Sequence, residues 1–144
     1  MKPVQCTKPD GTPMLGQPRQ MAFGSGDVRR LIRQFNAPLL GSTDDTVADS
    51  LIGRLYGQDV NVIAAMLLTG LGNYNRKLDV DDIDKIIDAH LDDGGTYSDL
   101  VRLIRLALEE GNHIPKQKEQ PTGAGAESRG RDLSAFTGGE GNPT

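Results

Sequence analysis

Between residues 27 and 111 the apolar positions recur every three or four residues and do not alternate, which predicts helices, and turn residues cut the pattern into five pieces. The first runs from Asp27 to Phe35, with Ser25 or Gly26 as N-cap, Val28, Leu31, Ile32 and Phe35 as the buried stripe, and a stop at Pro38 and Gly41. The second begins after Ser42 or Thr43, whose hydroxyls can cap while Asp44 and Asp45 suit the positive end of the helix dipole; its core face is Val47, Leu51, Ile52 and Leu55. The third, Val60 to Leu71, offers Val60, Ile63, Ala64, Met66, Leu67, Leu68 and Leu71. So little polar face is left that a central helix, packed on several sides, is predicted. The fourth is capped by Asp79, turns Val80, Ile83, Ile86, Ile87 and Leu91 inward, and ends at Gly94-Gly95. The fifth starts at Thr96 with Asp99 as a capping-box partner, buries Tyr97, Leu100, Val101, Ile104 and Leu108, and closes at Gly111 as a C′ glycine.

The pattern fails at both ends. Residues 1–24 hold four prolines, and Asp10-Gly11 suits a hairpin or loose turn, so this stretch reads as a flexible arm, disordered or with at most one weak hairpin. Residues 113–144 carry Pro115, Pro121 and Pro143 and few large apolar side chains, too little buried surface to offset the entropy of ordering them. Within that tail Leu133, Ala135 and Phe136 are the one patch able to dock onto something. The fold class expected is all-α: a compact bundle of about five short helices at residues 25–112, between an N-terminal arm and a disordered C-terminal tail.

Composition bounds the function. With 144 residues, 36% apolar and 4% aromatic, there is room for one modest core. No apolar run reaches the length needed to span a bilayer, and the opening residues, interrupted by Pro3, Pro9 and Pro13, lack the apolar centre of a secretory signal; a cytosolic protein without membrane contact is expected. One cysteine, Cys6, permits no internal disulfide, and with His90 and His113 it cannot complete a four-ligand zinc site, so neither metal nor cofactor is expected. The net charge of −4 is uneven: residues 26–111 hold 15 acidic and 9 basic side chains, an acidic body that argues against binding nucleic-acid backbones.

The motifs that suggest chemistry fail on spacing. The acidic run from Leu78 to Lys85 resembles a calcium loop, but counting from Asp79 puts Ile83, Asp84 and His90 where an oxygen ligand, a glycine and a glutamate are required. It reads better as an acidic helix, with Asp81 and Asp82 in the favourable first turn and available to a partner. Gly24-Ser25-Gly26 could cradle a phosphate, yet Asp27 stands where the anion would sit and no Lys-Ser or Lys-Thr pair follows. Arg29, Arg30 and Arg33 on the first helix, with Arg102 and Arg105 on the last, form basic strips suited to acidic surfaces. Those surfaces belong to the chain itself or to a second copy, which would permit head-to-tail self-association. His90 reads as an exposed helix residue, and no Ser-His-Asp or Cys-His set can be nominated, so no catalytic residue is assigned.

The order of elements carries a resemblance. Met21 to Leu31 reads Met-Ala-Phe-Gly-Ser-Gly-Asp-Val-Arg-Arg-Leu, a helix ends in Arg54-Leu55-Tyr56-Gly57, and the apolar stretch Asp59 to Leu71 leads to Leu-Asp-Val-Asp-Asp-Ile from Leu78 and a last helix ending at Gly111. Over about residues 20–112 this resembles the small helical tail assembly chaperones of long-tailed phages and gene transfer agents. The resemblance implies a non-enzymatic role: coating the tape measure protein and recruiting tail tube subunits in the cytoplasm of a bacterial host, without staying in the virion. In some members of that family a ribosomal frameshift adds a second domain that contacts the tube protein. The strands that precede the Phe-Gly entry in that family are replaced here by the Pro-rich arm. Two other readings stand beside it: a structural tail or head-tail connector protein, and a small helical DNA-binding regulator using Arg29, Arg30 and Arg33.

Overall fold

The computed structural model describes residues 1–41 and 49–116, and five helices and one strand pair form among them. Strand β1 (Val4–Gln5) pairs antiparallel with β2 (Gln20–Met21), placing Val4 opposite Met21 and Gln5 opposite Gln20. Helices follow at α1 (Ser25–Phe35), α2 (Leu51–Tyr56), α3 (Val60–Gly72), α4 (Val80–Asp92) and α5 (Tyr97–Glu110). The chain is therefore mostly helical, and the all-α expectation needs the small sheet added. The expected caps at Ser42 or Thr43, the acids Asp44 and Asp45, the core residue Val47 and the patch Leu133, Ala135 and Phe136 lie outside the described residues.

Helix α3 is the hub, touching α1, α2, α4, α5 and β2. Its sequence explains this: Val62, Ile63, Met66, Leu67, Gly70 and Leu71 are buried, more than one stripe can hold, so several neighbours are needed to cover them. Around it lie Leu31 of α1, Leu51 and Leu55 of α2, Ile83 and Ile87 of α4, and Leu100, Leu103, Ile104, Ala107 and Leu108 of α5. Two expected core residues turn outward instead. Val60 and Val80 each occupy the first turn of a helix, where the preceding chain leaves and nothing packs over them, and they are 46% and 61% exposed.

Helix ends are set by short polar side chains. Asp79 accepts from the Asp82 N–H at 2.9 Å while Asp82 accepts from the Asp79 N–H at 3.0 Å, and Thr96 and Asp99 make the same reciprocal pair at 3.3 and 2.9 Å. At α1 the cap is Gly24, not Ser25 or Gly26, because the Asp27 carboxylate takes the Gly24 N–H at 2.8 Å. At the end of α5, Gly111 is right-handed and Asn112 takes the positive φ of 61°, so the expected C′ glycine is displaced by one residue. Gly111 is small for another reason: a Cβ there would come within 2.8 Å of the His113 ring and 3.2 Å of the Phe23 carbonyl.

The first 24 residues are no free arm. Cys6, Met14, Leu15, Met21, Ala22 and Phe23 are all buried in the common core. A turn closes the hairpin through Lys8, whose N–H donates to Thr12 O at 2.8 Å, with Gly11 at φ +88° and the Asp10 carboxylate accepting from the Thr12 hydroxyl and N–H. That bonding holds the Asp10 carboxyl below its ordinary value. Further along, Ala22 N–H donates to Gly70 O at 3.3 Å, and Asn73 Nδ2 donates to Ala22 O at 2.8 Å, stitching the segment to the end of α3. The helical unit also extends past 112, since Ile114 is buried and His113 Nε2 lies 2.7 Å from Phe23 O.

Candidate functional site

The arginines and acids singled out by sequence fall on different faces and in different roles. Arg30 pairs with Asp27 within α1, and Arg105 pairs with Glu109 within α5 at 2.6 Å, so both are engaged inside their own helices. Arg29 and Arg33 are exposed and make no ion pair among the described residues. Arg102 is half-buried beside Asp99, and Asp82 is taken up in capping Asp79, which leaves Asp81 exposed on the first turn of α4. Arg102 and Arg105 line one shallow surface with Tyr56 and Gln58, and among the described residues no ion pair or hydrogen bond joins the nominated arginines to Asp81 or Asp82.

His90 overturns its expected exposure. It is 5% exposed, with Nε2 3.0 Å from Thr96 O and 3.3 Å from Asp99 Oδ2. The chain folds tightly over the ring because of its glycines: Gly94 has φ +88°, and a Cβ on Gly95 would stand 2.2 Å from His90 Cε1. The Thr96 N–H bonded to Asp99, and beyond it the nearby His90 and Arg102, hold the Asp99 carboxyl below its usual value. These contacts brace the α4–α5 turn. Cys6 is buried too, and burial pushes its thiol up to about 12. Among the described residues no three His, Cys, Asp or Glu side chains gather to hold a metal, and no helix is long and apolar enough to cross a membrane.

A concave, partly apolar surface lies where α1, α3 and α4 meet, a groove of about 530 Å³. Ala64, Ala65 and Leu68 of α3 form part of its lining, with Phe35 of α1 on one side and Val80 and Ile83 of α4 on the other. Small residues at 64 and 65 keep this face of α3 low, so the groove follows from two alanines that its neighbours leave only partly covered. Gln34, Asn61, Thr69 and Asp84 complete the lining, giving polar partners beside the apolar surface. The Phe35 wall is fixed from behind by Arg54, whose guanidinium carbon lies 5.5 Å from the ring centroid and whose Nε donates to Asp59 Oδ2 at 3.3 Å.

Sequence reasoning missed the groove because it read Ala64, Leu68 and Val80 as core. The signal present in the sequence was that the third helix is apolar on nearly every face, with small alanines at 64 and 65. Comparison with protein-family models, with curated proteins and with solved structures finds no match.

Proposed function

We propose that the chain is a non-enzymatic assembly factor of the tail assembly chaperone kind, which holds an apolar helix face of its client in the α1–α3–α4 groove. The observation that carries this reading is the groove itself: a shallow apolar surface with Ala64, Ala65, Leu68 and Val80 open to a partner and polar groups beside them. Such a surface suits an amphipathic helix, which presents its anchors every three or four residues. The tape measure protein, a long helical client, is the partner that the sequence resemblance implies, and the tail tube protein is the second. Arg29 and Arg33, exposed on α1 and without an ion pair among the described residues, add a charged surface for steering an acidic client.

The test is copurification with the tape measure protein encoded alongside, for the natural chain and for Val80→Asp and Leu68→Glu. Val80 is 61% exposed at the start of α4, where an added carboxylate is tolerated by the helix, so loss of binding in that variant reports on the groove and not on folding. Binding of the natural chain with loss in both variants is expected, together with absence of the protein from finished particles. No binding by the natural chain would remove the proposal. Presence in finished particles would favour a structural tail component, and a salt-dependent gel shift lost on replacing Arg29, Arg30 and Arg33 would favour a DNA-binding regulator.

A further inference from the structure

A second concave surface lies on another part of the molecule. A cleft of about 400 Å³ is lined by the cross-strand pair Gln5 and Gln20, by Arg19 and by Tyr74 and Asn75 after α3. A neighbouring cleft of about 390 Å³ shares Arg19 and Asn75 and continues past Lys77 to Lys85 and Asp82 on α4. Together they make an elongated trough with three cations and one carboxylate along it, in a body whose residues 26–111 hold 15 acids against 9 bases. Asp82 is occupied in the cap of α4, so it does not neutralise the cations by an ion pair among the described residues.

Arg19 is the anomaly. Its Nε is sealed from solvent and has no hydrogen-bond acceptor, and its guanidinium makes no ion pair among the described residues. That sealed Nε lies out of a ligand's reach, so what Arg19 offers the trough is its fixed positive charge and its terminal N–H groups, which a planar oxyanion can take side by side. The neighbouring groups narrow the ligand further. Gln5 and Gln20 each carry an amide that both donates and accepts, and Asn75, whose Oδ1 takes the Lys77 N–H at 3.2 Å, adds its Nδ2 donors, which suits a peptide backbone with its own N–H and C=O groups. A phosphate offers the amide oxygens only its P–OH groups, fewer donors than a peptide backbone spreads along the trough, and would face the Asp82 carboxylate with a greater charge.

We infer that this trough binds an acidic peptide segment in extended form, with one carboxylate on Arg19 and a following one near Lys77 and Lys85. The site is separate from the α1–α3–α4 groove, so a client can engage both, and each can fail alone.

The experiment is titration of the isotope-labelled full chain with a capped peptide of alternating Glu and Gly, followed by its Gln-for-Glu counterpart and by inorganic phosphate. Saturable amide shifts at Gln5, Arg19, Gln20, Tyr74 and Asn75 are expected with the Glu peptide, absent with the Gln peptide and weakened by salt. Arg19→Gln is expected to lower affinity about tenfold, the size of losing a charge-assisted pair. Should Arg19→Gln disturb folding, the double variant Lys77→Gln with Lys85→Gln, at two exposed positions, gives the same reading and is expected to weaken binding. The proposal is overturned if the Glu peptide leaves these amides unmoved, if the Gln peptide binds equally well, or if the lysine variants bind as the natural chain does. Phosphate saturating the same amides more tightly than the Glu peptide would also overturn it, as the mark of an inorganic anion site.

Discussion

Replacing Gly70 by Ala separates a packed N-terminal segment from a free arm by the sign of its effect. Gly70 lies inside α3, and in an otherwise unencumbered helix the change to Ala stabilises by about 1 kcal/mol. Here the added Cβ would stand 2.6 Å from Met21 Cγ and 3.0 and 3.2 Å from two ring carbons of Phe23. Neither neighbour has room to yield, since Met21 is 0% and Phe23 1% exposed, and the segment is tied down by Asn73 on Ala22 O and by His113 beside Phe23 O. Overpacking of this kind costs about 1–3 kcal/mol, which outweighs the propensity gain for most of that range and leaves a net loss of about 1 kcal/mol. For a domain of this size that corresponds to a fall in melting temperature of roughly 4–8 °C, read by thermal unfolding with circular dichroism. A rise in melting temperature for Gly70→Ala would refute the reasoning and return residues 1–24 to the status of an arm.

Two further outcomes follow from the same packing. Asp27→Ala removes the acceptor of the Gly24 N–H and of Asn73 Nδ2 and the partner of Arg30, and is expected to destabilise by about 2–3 kcal/mol in urea, whereas a surface aspartate in a first turn would cost well under 1 kcal/mol. Cys6 is expected to react with a thiol reagent only as fast as the chain unfolds. Its raised folded pKa adds stability that is complete below the unfolded value of about 9 and is lost as pH rises from there toward about 12; rapid labelling of the native chain near neutral pH would contradict its burial.

Much of the helical body was legible because its signals are local. Period located α1, α3, α4 and α5, and Asp79 and Thr96 cap where they were expected, while the α1 cap fell at Gly24. The N-terminal segment was not legible, since its strands are two residues long and its buried side chains, from Cys6 to Phe23, follow no period; tertiary contact with Gly70 and Asn73 holds them. His90 was misread because a polar residue in a helix's last turn is ordinarily solvated, and only the absence of a side chain at Gly95 lets the chain close over its ring. Arg30 and Arg105 could have been set aside from sequence, as Asp27 and Glu109 stand three and four residues away on the same helix faces. The groove and the Arg19 trough are products of how elements meet, and no single stretch of sequence encodes either one.

The central claim, that the α1–α3–α4 groove holds a client helix, is tested most directly by titrating the isotope-labelled full chain with a helical segment of the tape measure protein and mapping the amides that move. Shifts centred on Ala64, Ala65, Leu68 and Val80, lost in Val80→Asp, are the predicted result. Saturable binding whose shifts avoid these residues, or that Val80→Asp leaves intact, would contradict it.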